Sequence, residues 1–593
     1  MDRTLRALIL SKVTLEQDVT AKQSAHSDTA SNMAAKTSII NNGKVIPYFF
    51  YSQKSSTFDE LVSVGEMFLK IFLLIVFFAV MIGVGIVCRK STGNVQGFVL
   101  GSRNVGSWLT AFAFGTSYFS AVIFVGYAGQ FGWRFGLAST WIGIGNALIG
   151  SLLAWRLLGR RTRLMTRHLG SATMPDFFGR RYGSNALKVA ASIIVFVFLI
   201  PYTASLYNGL SRLFEMAFNI DYVWCVVGMA LLTGIYVLVG GYLATAVNDF
   251  IQGMIMLAGI VAVIASVMNG NGGFTAAVSS LSRIPAESAP ELSGAFVSFF
   301  GPQPLYLLGV VLLTSLGTWG LPQMVGKFYA IRDEEAITKG TFISTVFAFI
   351  VAGGCYFLGG FGRLYGSSIE YTAAGTPIYD SIIPSMLGSL PDIVIGVVII
   401  LVLSASMSTL SSLVLTSGST LTLDIIVPAK RNGMSEKSQL RCIRLLILFF
   451  IAVSSVIAIV QARSSVTFIA QLMGISWGAL AGAFLAPFLY GLYSKRATAL
   501  SAWVSFASGV VVMGLCMFCT FTGKTFISPF FTSPINAGVL AMVLGLVLVP
   551  LVSLVSKVKD KDAVDKMFSC YEHKVTVSAA TALSQTVENS DLA

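Results

Sequence analysis

The chain of 593 residues is 55% hydrophobic and only 11% charged, against roughly 25% charged in soluble domains, which excludes a water-soluble globular protein. Apolar runs of about 20 residues recur along almost its whole length; each can cross a hydrocarbon core as a helix, and they are too long for barrel strands. The net charge of +13 falls mainly between these runs, where it sets orientation and does not point to nucleic acid.

In chain order, residues 1–62 are polar, nearly charge-balanced and rich in Ser, Thr, Lys and Gln, and are predicted to be a disordered tail. Met67 stands directly before the first apolar run, so an over-extended start is an open possibility. About thirteen transmembrane helices are predicted, at 67–88, 107–131, 138–158, 187–215, 223–240, 247–268, 304–325, 340–365, 388–424, 441–461, 467–493, 499–521 and 537–557. Together they make a membrane domain over 63–557, followed by a cytoplasmic tail at 558–593. The loop "RRTRLMTRHLGSATMPDFFGRR" holds six Arg against one Asp, and "PAKRNGMSEKSQLRCIR", "SKR" and "KVKDK" fall on the same side. Basic loops stay in the cytoplasm, which predicts a multi-pass plasma-membrane protein with its N-terminus outside and its C-terminus inside. The seven Cys are scattered through the runs; Cys516 and Cys519 form a C-x-x-C within "VVMGLCMFCTF", where they read as small apolar fillers.

Two runs look interrupted. The second, "SWLTAFAFGTSYFSAVIFVGYAG", carries Gly115, Thr116, Ser117 and Ser120 at its middle; the seventh places Gly317, Gly320 and Pro322 within six positions. Gly tolerates unusual torsions and Pro removes a donor, so each run is either broken or a kinked packing helix. The interruptions lie five runs apart, which suggests two five-helix repeats, at about 107–268 and 304–493, the second inserted upside down. Broken helices in matching positions of inverted halves point to a secondary-transporter binding site.

The ninth run contains "ASMSTLSSL" at 405–413, five hydroxyls in nine positions. Residues three and four apart share a helix face, so Ala405, Ser408 and Thr409 form one set and Ser408, Ser411 and Ser412 the next. Such hydroxyls serve packing or back-bonding to their own helix; this many also suit a small hard cation, which prefers oxygen ligands. Asp249, opening the sixth run, reads either as the partner of a cation at the Ser411 and Ser412 end of this stripe or as a helix N-cap.

"GFVLGSRNVGSWLTAF", "GGYLATAVNDFIQ", "WGLPQMVGKFYAIRDEEA" and "ASMSTLSSLVLTSGSTLTLDI" resemble four ordered motifs of the sodium:solute symporter family over residues 67–500. The resemblance implies an all-α membrane protein with a five-plus-five inverted repeat, a LeuT-like core preceded by one extra helix. It implies a main sodium site of the Thr116, Phe119 and Ala405 carbonyls with the Ser408 and Thr409 hydroxyls. A second sodium, bound in some members, would use Asp249, Ser408, Ser411 and Ser412. Proline carriers of the family place an acid where this chain has Tyr118, and aromatic residues where it has Thr314 and Thr318. The solute is therefore expected near Ser117, Ser120, Thr318, Trp319 and Gln323, in a more polar pocket. The expected function is sodium-coupled import of a small organic solute (amino acid, carboxylate metabolite or sugar) by alternating access, with Na+ and the bilayer as partners. The alternatives are a transporter-derived sensor or a proton-coupled carrier of the same fold.

No other class fits the residues. "GKT" at 523–525 would need Gly at 518 to complete a Walker motif, and Phe518 stands there. The three His lie in tails or loops, so no catalytic residue is assigned. "GIGNALIG" lacks a preceding strand and reads as small-residue packing.

Overall fold

The computed structural model describes residues 70–572, apart from 219, 374, 389, 431–432, 463–468 and 524–527, together with the pieces 39–41 and 44–46. Those two pieces pair as a short antiparallel ladder; the rest of the predicted disordered tail, and residues 573–593, lie outside the described residues.

From Lys70 onward the fold is built of helices. Ten are long and apolar enough to cross a membrane, or eleven if the bent pair Pro304–Gly320 and Pro322–Ala330 is one span. Two of the ten, Val122–Leu169 and Tyr222–Gly270, run 48 and 49 residues. At 1.5 Å per residue each would be about 70 Å long, more than twice a hydrocarbon core. Each contains a turn that only glycine makes easily: Gly136 at φ 61°, ψ −140° and Gly241 at φ 55°, ψ −154°.

Contacts at one end of the bundle show that neither long helix is a single crossing. Val105 N–H donates to the Ala330 carbonyl (3.1 Å), and Arg332 N–H donates back to Val105 (2.9 Å). Arg163 donates to the Ile331 and Arg332 carbonyls at 3.2 and 2.5 Å. Arg160 pairs with Glu334 at 2.8 Å, and Arg181 donates to the carbonyls of Gly491 and Ser494 at 2.8 Å each. Residues 105, 163, 331 and 494 therefore share one end, so an even number of crossings separates each from the next. A single crossing for Val122–Leu169 or for Tyr222–Gly270 would put them at opposite ends. Dividing the two long helices at these glycines gives thirteen candidate spans among the described residues, labelled α1 to α13.

These are α1 (Lys70–Cys88); α2, in two pieces, Ser107–Tyr118 and Val122–Tyr127 running on into Ala128–Phe135; α3 (140–169); α4 (Asn185–Phe218); and α5 and α6, on either side of Gly241. Then follow α7 (Pro304–Gly320 and Pro322–Ala330), α8 (Glu334–Gly359), α9 (Asp392–Leu421), α10 (Glu436–Ala462), α11 (Ile469–Tyr493), α12 (Ala499–Thr522) and α13 (Pro534–Val555). α11 is almost wholly buried, whereas α1 and α13 turn most of their surface outward. "GIGNALIG" lies in α3, where Gly143 meets the backbone of Ala352 and Gly353 on α8 and Gly145 meets Val311 and Ser315 on α7. Cys516 and Cys519 are buried in α12 as free thiols.

The two broken helices break alike. Phe119 follows the first piece of α2 at φ −91°, ψ 122°, and Leu321 follows the first piece of α7 at φ −89°, ψ 119°. Pro322 starts the second piece of α7, where its missing donor costs nothing. Because Val105 at the start of α2 bridges Ile331 at the end of α7, the two broken helices run in opposite directions. That is the relation an inverted repeat requires.

Candidate functional site

The helical ladder of α2 ends with Phe119 N–H donating to Gly115 (3.1 Å). The next carbonyl, Thr116, thus passes out of the ladder, and hydroxyls from α9 meet it. Ser408 Oγ lies 3.2 Å and Thr409 Oγ1 3.3 Å from Thr116 O. Thr409 Oγ1 is also 3.5 Å from Phe119 O and 3.1 Å from Ala405 O, which lies 3.1 Å from Ser408 Oγ. All five residues of the expected main site thereby converge on one fully buried spot, where the break in α2 faces an intact stretch of α9. Three carbonyls and two hydroxyls form an all-oxygen donor set without a formal charge. That chemistry fits a monovalent hard cation. The two hydroxyls, now donating to the carbonyls, can rotate their lone pairs toward such an ion.

The second set is arranged differently. Ser408 faces the main site, and Ser411 Oγ donates to Ser408 O of its own helix (2.8 Å). Ser412 Oγ shares a 2.9 Å hydrogen bond with Ser117 Oγ of α2 and accepts another, also 2.9 Å, from Lys327 Nζ of α7. The same ammonium lies 3.7 Å from Asp249 Oδ2. Asp249 is fully buried and the Lys327 side chain only 4% exposed. Asp249 sits two turns beyond Gly241, and neither of its carboxylate oxygens accepts a hydrogen bond. The N-cap reading of Asp249 therefore fails: its carboxylate faces Lys327, not a helix end.

The expected solute residues divide. Thr318 Oγ1 donates to Ser315 O (2.8 Å) and lies 3.4 Å from Gly150 O, while Trp319 Nε1 donates to Ile149 O (3.1 Å). Both are thus turned toward α3, away from Ser117 and Ser120. Ser120 Oγ, within the α2 break, and both amide atoms of Gln323, just past the α7 break, are buried without a hydrogen-bond partner. Around the α2 break the Tyr118 ring packs 5.8 Å from Trp477 of α11, which lies 6.0 Å from Tyr202 of α4. Trp477 Nε1 and Tyr202 OH are likewise buried and unpartnered. Tyr118 OH donates to Thr314 O (3.1 Å), which ties the two broken helices together.

Sequence reasoning missed Lys327, Tyr202 and Trp477. Lys327 lies just beyond the seventh run predicted at 304–325; the one signal toward it was Asp249, an acid at membrane depth that demands a partner.

A model of the sodium:solute symporter family matches residues 98–509. A sodium/proline symporter of Staphylococcus aureus is 28% identical over 449 residues, covering 74% of this chain and 84% of its own. Sodium/proline symporter 2 of Staphylococcus saprophyticus is 28% identical over 451 residues, covering 74% and 84%. The fold is similar to that of a Na+-coupled sialic acid symporter solved with substrate in an outward-open state, with a TM-score of 0.66 at 17% identity, covering 82% of this chain and 98% of that one. With the match spanning most of the crossings and both broken helices, the chain belongs to the sodium:solute symporter family, the sodium-coupled carriers of small solutes.

Proposed function

We propose that the protein imports a small organic solute together with Na+, and that the ion binds among the Thr116, Phe119 and Ala405 carbonyls and the Ser408 and Thr409 hydroxyls. The observation that carries this reading is the convergence of those five oxygens where α2 is broken. An ion held there would bind the broken helix to α9 and so favour one arrangement of the two halves over the other, as alternating access requires.

The basic loops at the shared end would face the cytoplasm, which puts the N-terminus outside and the C-terminus inside. From that end, a cavity lined by Arg103, Arg167 and Asp176 shares Val99, Leu100 and Ala172 with a smaller one reaching Gln323, Lys327 and Ser412. This is a candidate route of release.

For the solute, the Ser120 hydroxyl, Tyr202 hydroxyl and Trp477 N–H, grouped beside the α2 break, suit a compact molecule carrying oxygen acceptors beside an apolar face. An amino acid answers that description, and the relatives named as sodium/proline symporters support it. The test is uptake of a panel of amino acids, small carboxylates and sugars into proteoliposomes, with an inward sodium gradient or with choline in its place. Concentrative uptake of one solute only in sodium is expected; flux indifferent to sodium would refute the proposal.

A further inference from the structure

The Lys327 charge is used by neither the proposed sodium site nor the solute pocket. Its ammonium reaches two neighbouring helices at once. It lies 2.9 Å from Ser412 Oγ on α9, 3.7 Å from Asp249 Oδ2 on α6, and 5.4 Å from the centre of the Tyr242 ring. Through Ser412 it continues to Ser117 Oγ, the neighbour in sequence of the Thr116 carbonyl that would face the coupling ion. Asp249 and Ser412 are the acid and the hydroxyl that a second sodium would need, and the ammonium already spans them. Ser411 is turned to its own helix and Ser408 to the main site, so this donor set does not fit a sodium ion beside the lysine.

We infer that the Lys327 ammonium is a built-in cation standing where a second sodium would bind, so that the carrier couples one sodium ion, not two, to each solute. The inference rests on the sodium-symport reading and deepens it. One carboxylate and one ammonium make the spot neutral without any ion from solution. An external cation would have to sit within a few ångströms of the ammonium and share a carboxylate whose charge is already balanced. A tethered cation also does something a diffusible one cannot. It joins α7 to α6 and α9 whether or not sodium is present, and only the main site then answers to the sodium gradient. With one ion, a 100 mV potential and a tenfold gradient limit accumulation of a neutral solute to roughly 500-fold, whereas two ions would allow about 10⁵-fold.

The test counts sodium directly, without a solute. Purified full-length protein is titrated with ²²Na⁺ in detergent at constant ionic strength, and bound ions per chain and the Hill slope are read. The wild type should bind one sodium with a slope of about 1. Lys327→Met should bind two with a steeper slope, Lys327→Met/Asp249→Asn should return to one, and Lys327→Arg should stay at one. A wild-type count of two that falls to one in Asp249→Asn would overturn the inference, and that comparison decides even if Lys327→Met does not fold. A count of one in a folded Lys327→Met would overturn it as well. A wild type that binds no sodium at all would instead remove the symport reading itself.

Discussion

Thr409→Ala puts the proposed sodium site to its most direct trial. The Thr409 hydroxyl lies 3.1–3.5 Å from all three carbonyls of the set, those of Thr116, Phe119 and Ala405. Deleting it removes one of five oxygens from the ion without unpairing any other side chain. Interactions of this kind with a charged partner are worth about 1.5–3 kcal/mol. At 1.4 kcal/mol per tenfold, the sodium concentration for half-maximal uptake should rise about 10- to 150-fold. Ser408→Ala should act in the same direction, and Thr409→Ser, which keeps the hydroxyl, should stay near the wild type. Ser406 supplies the control. It is equally buried on the same helix, but its hydroxyl donates to Val402 O (2.8 Å), so Ser406→Ala should leave sodium dependence unchanged. The assay is initial uptake rate against external sodium at fixed ionic strength. Unchanged half-saturation in both Ser408→Ala and Thr409→Ala would refute the site.

Three further outcomes are expected. In sodium-free detergent Lys327→Met should melt well below the wild type, because an uncompensated buried carboxylate costs about 3–5 kcal/mol; adding Asp249→Asn should recover much of the loss, and equal melting of single and double variants would refute a shared pair. Gly136→Ala would place a Cβ 2.2 Å from the Phe296 carbonyl at a positive φ, a strain of about 1–3 kcal/mol or more; a reduced yield of monodisperse protein is expected, and wild-type yield and melting would count against the turn. In sealed right-side-out vesicles, a cysteine introduced at Ser288 should react with an impermeant maleimide and one at Arg496 should not; the reverse pattern would invert the proposed orientation.

Much of this was legible in the sequence, for identifiable reasons. A stripe of hydroxyls in an apolar helix is anomalous by composition, and helical spacing alone sorts Ser408 and Thr409 onto one face. The breaks in α2 and α7 were marked by glycine and proline, although the extended residues themselves, Phe119 and Leu321, carry no such mark. Thr318 and Trp319 went astray because Gly317–Gly320 forms a 3₁₀ turn. Three residues per turn instead of 3.6 rotates both side chains toward α3, which no helical projection anticipates. Lys327 was hidden differently. Read along the chain, it looks like the first basic residue of a cytoplasmic loop. Only the folded chain brings it to Asp249, and a pairing between residues so far apart in sequence leaves no local pattern. Tyr202 and Trp477 likewise read as ordinary bulky residues of buried helices until α4 and α11 meet.

The backbone bridge between Val105 and Ile331 makes the basic end a latch. Any motion that parts the two broken helices there must give up the hydrogen bonds from Val105 N–H to Ala330 and from Arg332 N–H to Val105, or else carry both helices along as one rocking unit. Each bond is worth only about 1 kcal/mol net, light enough for thermal opening yet heavy enough to shift a balance of conformers about fivefold. Both strands of the latch are main chain. Side-chain replacement leaves it intact, and the substitution that reaches it is Val105→Pro, which deletes one donor and should tilt the resting population toward the state open on that side.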